Sequence, residues 1–298
     1  MKFVTFEFKE KQHVGVLTEY GVVATIDIFE ALGKDEYPKD MNGFIGMCSE
    51  SLLADISRTL NSLELRQIGL DDVRICAPIP YPRRNVICIG KNYFDHVKEM
   101  ESGPTAIGAD SPESPVYFTK SACPAIGDGD EICSHEELTS QLDYEAELAV
   151  IIGKGGRDIP AENAHKHIFG YTIVNDISAR DLQSSRRQWF KGKSLDTFTP
   201  MGPCILHRDS IPFPPDLSIE SHVNGERRQS SRTANMIFGI PEIISDISRG
   251  FTLIEGDIIC TGTPSGVGAG FKPQRFLTKG DVVRLCIEEI GTLTNYVK

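Results

Sequence analysis

Residues 142–153 constrain the fold of this chain more than any other segment. Their second half, LAVIIG, is an uninterrupted apolar run, which indicates a strand buried inside a sheet. Their first half, LDYEAE, places Glu145 and Glu147 two positions apart. Side chains two positions apart on a strand point to the same face. The pattern therefore predicts two carboxylates side by side at the head of a buried strand.

Two like charges on one strand face repel each other unless a cation or solvent lies between them. A solvated strand edge is the simpler interpretation of this segment alone, because glutamate is usually exposed. A second apolar run, residues 171–174, ends in Asn175 and Asp176 and brings a third carboxylate to a strand end. For Asp176 the alternative is an N-cap of the following turn. Three oxygen ligands without Cys or His suit Mg²⁺ or Mn²⁺, so we predict that Glu145, Glu147 and Asp176 hold one such cation.

Three further side chains are candidates for chemistry beside this cation. Lys193 follows an aromatic segment, and a lysine beside a metal can bind a substrate carboxylate or stabilise an enolate. His96 and Glu99 lie three positions apart, so on a helix they share a face, as a carboxylate that orients an imidazole base requires. The alternatives are an exposed loop lysine and an exposed surface pair. Residues 101–114, rich in Gly, Ser, Pro and Ala, follow the pair and are predicted to form a lid or a disordered insert.

The glycine-rich segment TGTPSGVGAG, residues 261–270, follows a predicted strand. Its backbone N–H groups lack side-chain obstruction, which suits close approach to an anionic ligand. A glycine-rich turn without a ligand is the alternative. The segment does not match the nucleophile motif G-x-S-x-G, and no helix pattern follows it as a dinucleotide-binding loop requires.

The chain divides at the proline-bearing residues 77–82. Before them, residues 1–30 alternate apolar and polar side chains in two short runs, residues 2–8 and 14–28, which predicts a small antiparallel sheet. Residues 44–70 have apolar positions at helical spacing. We therefore predict a small N-terminal α/β module at residues 1–80.

Strand patterns dominate the rest of the chain, and Asn224-Gly225 between two of them predicts a β-hairpin. The predicted helices are few and short: residues 93–100, 161–168 and 240–248. This pattern predicts an α+β fold with a dominant sheet, and residues 81–298 are expected to form a catalytic domain.

Composition argues against several classes of partner. The chain carries 31 Lys plus Arg against 42 Asp plus Glu, a net charge of −11, which argues against binding to nucleic acid or to an anionic membrane. Its eight cysteines are scattered without a C-x-x-C pair, as is typical of buried thiols in a reducing compartment. No signal-peptide or membrane-span pattern occurs. We expect a cytoplasmic protein with no membrane partner.

Taken in order, several motifs of this chain resemble the fumarylacetoacetate hydrolase superfamily. They are GKNYFDHVKE from Gly90, DYEAEL from Asp143, NDISARDLQ from Asn175, GKS from Gly192 and GTPSGVG from Gly262. The resemblance implies a mixed β-sandwich roll with a small N-terminal β-rich domain, assembled as a homodimer. It implies Mg²⁺ or Mn²⁺ on the three carboxylates, and catalytic roles for His96, Glu99 and Lys193. It also implies substrate contacts from Gln183 and Thr263.

One departure narrows the resemblance to a branch of the superfamily. Fumarylacetoacetate hydrolase itself carries a fourth metal-binding aspartate in the strand before its catalytic histidine, whereas residues 86–90 here hold no carboxylate. The chain is more similar to the acylpyruvase and oxaloacetate decarboxylase branch. This implies a metal-dependent enzyme that decarboxylates oxaloacetate or hydrolyses a C–C bond of an acylpyruvate, with a small 2-oxo acid as substrate. The alternatives are an isomerase or tautomerase of 2-hydroxy-dienedioates and a metabolite-binding protein with little turnover.

Overall fold

A computed structural model of the protein describes residues 1–62, 64–100, 112–122 and 124–298. Most of the expected lid, residues 101–111, therefore lies outside the described residues. None of the helices in the described part of the chain has the length and apolarity that a membrane span requires.

The described strands form three sheets, of ten, five and two strands. In chain order they are β1 (Lys2–Phe8), β2 (Lys11–Thr18), β3 (Gly21–Ala24), β4 (Arg74–Ile75), β5 (Val86–Gly90), β6 (Val116–Lys120), β7 (Glu131–Ile132), β8 (Leu142–Asp143), β9 (Ala146–Ile152), β10 (Ile168–Asn175), β11 (Ser178–Ala179), β12 (Met201–His207), β13 (Ser218–Val223), β14 (Glu226–Arg232), β15 (Ile258–Cys260), β16 (Val282–Ile287) and β17 (Gly291–Val297).

The helices are short, as predicted. The α-helices are α1 (Thr25–Ala31), α2 (Met41–Met47), α3 (Glu50–Ser62), α4 (Phe94–Glu99), α5 (Arg180–Ser184), α6 (Phe190–Lys193) and α7 (Ile240–Ser248). Short 3₁₀-helices cover Leu70–Asp72, Ala161–His167, Arg208–Ser210, Thr233–Asn235 and Gly268–Gly270.

The N-terminal part differs from its prediction in two details. The second strand run was expected to continue to residue 28, but helix α1 begins at Thr25 and buries Ile28 and Phe29 one turn later. The helix expected over residues 44–70 is two helices. Ser49 separates them, because its Oγ accepts a hydrogen bond from the backbone N–H of Leu52 at 3.1 Å and so caps α3.

The large sheet follows the order β3-β2-β1-β12-β10-β9-β15-β5-β6, with β4 beside β1. Because β1 pairs with β12, the N-terminal strands continue the sheet of the remaining chain. The domain boundary expected near residue 80 stays a prediction. Apolar side chains of β9 alternate between two hydrophobic cores, with Leu148 and Val150 in one and Ala149 and Ile151 in the other.

The five-stranded sheet has the order β14-β13-β16-β17-β7. Asn224 and Gly225 connect β13 to β14 with φ values of 52° and 83°, which is the conformation of a tight hairpin turn. The predicted hairpin is therefore confirmed. The predicted α+β class, with mixed sheets and a β-rich N-terminal part, is confirmed as well.

Three pairings of the large sheet place the candidate site. Strands β9 and β10 are antiparallel, with Glu147 opposite Val174. Beyond the end of β10, the backbone N–H of Asp176 donates to the carbonyl oxygen of Glu145 at 3.0 Å. Strand β15 pairs with both β9 and β5. The three segments that follow β5, β10 and β15 therefore lie at the same edge of the large sheet. The segment that precedes β9 lies there as well.

Candidate metal centre and active site

Glu145, Glu147 and Asp176 form one buried cluster at this edge of the sheet. Each offers a carboxylate oxygen, and the three atoms lie within 4.8 Å of one another. The residues are 5%, 1% and 0% exposed, respectively. The solvated strand edge considered for the glutamates is therefore wrong. Their role as metal ligands stays a prediction that this geometry allows.

The carboxylates of Glu145 and Glu147 have opposite electrostatic environments. Burial raises the pKa of Glu147 well above its usual range, and Cys260, Asp176 and Glu145 raise it further. Burial alone would also raise the pKa of Glu145, but Lys193 and Arg180 lower it overall. Among the described residues, no cationic side chain forms an ion pair with Glu147. Its Oε2 accepts a hydrogen bond from the backbone N–H of Gly262 at 2.8 Å.

Two lysines neutralise the other carboxylates. Helix α6 carries Lys193, whose Nζ lies 2.7 Å from both Glu145 Oε2 and Asp176 Oδ2. Although burial opposes its charge, Asp176 and Glu145 raise the pKa of Lys193 to about 12. The alternative of an exposed loop lysine is wrong, because Lys193 is 1% exposed. Lys120, at the end of β6, donates to Asp176 Oδ1 and to the carbonyl oxygen of Phe198; sequence reasoning missed this residue.

Arg180 is a second charged residue that sequence reasoning did not place in the site. Its Nη1 lies 2.7 Å from Glu145 Oε1 and 3.1 Å from Gln183 Oε1, which is three positions along α5. Its Nε donates to Asp143 Oδ2 at 2.8 Å. Its Nη2 is buried without a hydrogen-bond partner in the described structure. A buried N–H without a partner is costly, so Nη2 is a candidate donor to a ligand.

His96 and Glu99 form a dyad on α4, in which His96 is buried and Glu99 is half-buried. Nδ1 of His96 lies 2.7 Å from Glu99 Oε1, and His96 is 4% exposed. The other oxygen of Glu99 accepts from the backbone N–H of Gly266 at 2.8 Å. The exposed surface pair is therefore wrong. Because Glu99 holds Nδ1, Nε2 is the ring nitrogen that remains for proton transfer.

The glycine-rich segment, here loop 262–270, holds carboxylates of this chain instead of offering its amides to a ligand. Besides Gly262 on Glu147 and Gly266 on Glu99, the N–H groups of Gly268 and Ala269 donate to Asp143 at 2.7 and 3.0 Å. These four amides are occupied, so the expected anion site at them is wrong.

Thr263, the expected substrate contact in loop 262–270, is held on two sides. Its hydroxyl donates to the carbonyl oxygen of Ala146 at 2.9 Å and accepts from Gln229 Nε2 at 2.7 Å. Its role toward a substrate stays a prediction.

All eight predicted site residues belong to one region. A cavity of about 290 Å³ lies over the cluster. It is lined by Ile89, Gly90, Lys91, His96, Phe118, Glu145, Glu147, Arg180, Gln183, Trp189, Lys193 and Thr263. Asp176 lies behind this lining in contact with Lys193, and Glu99 lies behind it in contact with His96. The arrangement combines three carboxylates that could hold a cation, an imidazole and two cationic side chains around one cavity.

Comparison of this chain with known sequences and structures identifies a matching family and several relatives. Residues 85–298 match the sequence family described as fumarylacetoacetate hydrolase, C-terminal. Oxaloacetate tautomerase YisK of Bacillus subtilis (strain 168) is 57% identical over 229 residues, which cover 77% of this chain and 74% of that protein. The solved fumarylacetoacetate hydrolase of Exiguobacterium antarcticum is 41% identical, with a TM-score of 0.81, and the match covers 100% of this chain and 99% of that one.

A third relative was solved with a metal. Maleylpyruvate hydrolase from Sphingobium sp. SYK-6, in complex with manganese(II) and pyruvate, is 27% identical with a TM-score of 0.77. The match covers 100% of this chain and 98% of that chain.

Proposed function

Because this chain belongs to the fumarylacetoacetate hydrolase family, we propose that it is a metal-dependent enzyme that enolises small 2-oxo acids, with oxaloacetate as the first candidate. One observation supports this most: three buried carboxylates have oxygens within 4.8 Å of one another, and two of them, Glu145 and Glu147, line a cavity together with the buried His96. The name of the Bacillus subtilis relative, an oxaloacetate tautomerase, supports the choice of substrate and of reaction.

The residues present fit a hard divalent cation. Their donor atoms are all carboxylate oxygens, which Mg²⁺ and Mn²⁺ prefer. Glu147 is a buried carboxylate with which no described cationic side chain forms an ion pair, and a buried charge needs compensation. We propose that Glu145, Glu147 and Asp176 hold Mg²⁺ or Mn²⁺. Such a cation, when bound, supplies Lewis-acid polarisation of a 2-oxo group.

Two cationic side chains would bind and stabilise the substrate. Arg180 lines the cavity and has a buried donor, Nη2, without a hydrogen-bond partner among the described residues, and guanidinium is well suited to bind a carboxylate. Lys193 carries a buried ammonium group at the same cavity. As charge develops on the oxygen of an enolate, a nearby ammonium stabilises that oxygen.

His96 would move the proton. With Nδ1 held by Glu99 at 2.7 Å, a neutral His96 has Nε2 as its basic nitrogen. Nε2 accepts the proton from C3 of the 2-oxo acid and then donates it to the enolate oxygen, which gives the enol and restores the neutral ring. In the reverse direction the protonated ring returns the proton to C3.

Carbon–carbon cleavage is the second candidate. Decarboxylation of oxaloacetate and hydrolysis of an acylpyruvate both release the enolate of pyruvate, which the same cationic groups would stabilise. The solved complex of a maleylpyruvate hydrolase with manganese and pyruvate supports this candidate. For hydrolysis, His96 would activate water. The expected homodimer and cytoplasmic location stay predictions.

The test is an assay of the purified protein with Mg²⁺ or Mn²⁺ on oxaloacetate and acetylpyruvate. Keto–enol exchange is followed by ultraviolet absorbance, and cleavage by release of pyruvate, each against metal without protein. We expect rates far above this background for the wild type. Glu147→Ala and His96→Ala should fall by about 10²-fold or more. The exposed Glu137→Ala is the matched control.

Three outcomes separate the alternatives. Exchange without pyruvate release supports the tautomerase, and pyruvate release above background supports cleavage. If the metal-loaded wild type acts on neither substrate nor on 2-hydroxy-dienedioates, yet binds oxalate tightly, the enzyme proposal is overturned in favour of a metabolite-binding protein.

A further inference from the structure

We propose that Trp189 sets the upper limit on the length of the substrate tail, the part of a 2-oxo acid beyond C3. This inference rests on the proposed function, because it assumes that the carboxylate and the 2-oxo group bind at the cluster of carboxylates. It concerns the apolar part of the lining of the same cavity, which includes Ile89, Gly90, Phe118 and Trp189.

The position of the indole ring is fixed from two sides. A Cβ atom added at Gly90 would lie 2.5 Å from Trp189 Cζ3, so the indole rests directly on the backbone at the end of β5. The ring centroid lies 5.1 Å from that of Phe118, at an interplanar angle of 69°, a favourable edge-to-face geometry. Displacing the ring would therefore lose packing against two separate strands.

The indole is also tied to the polar end of the cavity. The backbone N–H of Lys193 donates to the carbonyl oxygen of Trp189 at 3.1 Å, across one turn of chain. The Lys193 ammonium group lies 5.3 Å from the centroid of the Phe118 ring. Lys193, a polar residue of the lining, is therefore in contact with both Trp189 and Phe118, the aromatic residues of the lining.

The residues that line the cavity differ in how deeply they are buried. The polar lining residues Glu145, Glu147, Arg180 and Lys193 are all at most 5% exposed, whereas Trp189 is only half-buried. A 2-oxo acid whose carboxylate and 2-oxo oxygen reach the buried polar groups therefore directs its tail toward the indole. The space within this lining, together with the open solvent at its mouth, measures about 290 Å³.

A rigid wall at this position discriminates by size. One methylene group in a hydrophobic pocket changes binding by roughly 10–200-fold. Short tails, as in oxaloacetate or acetylpyruvate, fit between the polar floor and the indole. Longer tails meet the ring, so their binding is weakened unless the ring is removed.

The test measures binding, which does not depend on turnover. Wild-type protein with saturating Mg²⁺ is titrated calorimetrically with pyruvate, 2-oxobutanoate, 2-oxopentanoate and 2-oxohexanoate. We expect affinity to fall with length. In Trp189→Ala the ratio of the dissociation constants of 2-oxohexanoate and pyruvate should fall by about tenfold or more, and in Trp189→Phe by less. Phe190→Ala is the matched control, because this neighbouring aromatic residue is 45% exposed and does not line the cavity.

Two results would overturn the inference while leaving the proposed function intact: a wild type that binds all four acids equally, or a Trp189→Ala protein with the wild-type length dependence. Trp189→Phe keeps the test valid if Trp189→Ala has a lowered melting temperature. A wild type that binds the series with the expected dependence but turns over no 2-oxo acid would overturn the proposed function alone.

Discussion

Asp143 holds Arg180 and loop 262–270 together. Its Oδ2 accepts from Arg180 Nε at 2.8 Å and from the N–H of Ala269 at 3.0 Å, while its Oδ1 accepts from the N–H of Gly268 at 2.7 Å. The carboxylate is fully buried. One side chain outside the cavity lining therefore fixes both a proposed substrate donor and the loop that anchors Glu147 and Glu99.

Removing this charge should cost stability. In Asp143→Ala the buried Arg180 guanidinium loses a charged partner, which typically costs about 3–5 kcal/mol. Urea denaturation would measure the difference in the free energy of unfolding, with the exposed Glu137→Ala as control. Asp143→Asn, which keeps the shape, should recover part of the loss. Equal stability of Asp143→Ala and the wild type would contradict this account of Arg180.

Metal binding should weaken as the pH falls. Burial and three neighbouring acidic groups raise the pKa of Glu147, so below that pKa the free protein holds a proton that a cation must displace. The affinity for Mn²⁺ should then fall by up to about tenfold per pH unit. Calorimetry in buffers of different ionisation enthalpy would detect the released proton. An affinity that is constant with pH would refute the prediction.

Glu99→Gln should lower kcat much more than it changes KM. The substitution weakens the hold on His96 Nδ1, which lies 2.7 Å from Glu99 Oε1, without altering the carboxylate triad or Arg180. Loss of general base catalysis costs about 10²–10⁴-fold, and a weakened dyad should lose part of that. Steady-state kinetics on the substrate identified in the assay would separate the two constants. A change confined to KM would assign Glu99 to binding instead.

The single tryptophan provides a signal for ligand binding. The chain contains one Trp, and Trp189 lines the cavity. Addition of oxalate to the Mg²⁺-loaded protein should therefore change the intrinsic tryptophan emission. In Glu147→Ala, with one of three proposed ligands removed, the change should need much higher Mg²⁺ concentrations. A wild-type emission that does not respond to oxalate bound at the cavity, as measured by calorimetry, would contradict the placement of the indole.

His207 should make the fold acid-sensitive. It lies at the end of β12. Its ring packs against Phe3 and Phe169 with centroid distances of 6.2 and 5.5 Å. Burial lowers the pKa of His207 from 6.5 to about 4. The unfolded chain therefore takes up a proton between pH 6.5 and 4 that the folded protein does not. Stability present above pH 6.5 is lost as the pH falls through this window, by up to roughly 3 kcal/mol.

The measurement for His207 is the free energy of unfolding between pH 4 and 7. His207→Gln should remove most of the acid slope that this residue causes. The exposed His165→Gln is the control. If the free energy of unfolding of His207→Gln fell with decreasing pH as steeply as that of the wild type, other groups would be the cause of the loss of stability in acid.

The sequence predicted those parts of the site that depend on local geometry. Alternation along a strand is fixed by the backbone, so Glu145 and Glu147 were placed together correctly. Helical spacing likewise paired His96 with Glu99. Lys120 and Arg180 were missed as site residues because their partners lie far away in the sequence. Lys120 contacts Asp176, 56 residues on, and no pattern within one segment records such a contact.

Loop 262–270 shows a different limit of sequence reasoning. Its glycines correctly indicated that backbone amides are accessible, but not which acceptor would reach them. The acceptors are side chains from distant segments, such as Asp143, which lies 125 residues from Gly268. Similarly, the β-branched residues within α1, such as Ile26, suggest a longer strand, but the tertiary core that buries Ile28 and Phe29 favours a helix.

Glu147 of the carboxylate cluster lies on β9, an interior strand of the large sheet, where Ala149 and Ile151 continue the face that carries Glu147. A chain selected for thermal resistance alone would extend this apolar face through position 147. Retaining glutamate there keeps the metal-free protein less stable than its architecture permits. Apolar substitution at position 147 is therefore a route to a more heat-resistant scaffold, at the expense of the proposed cation site.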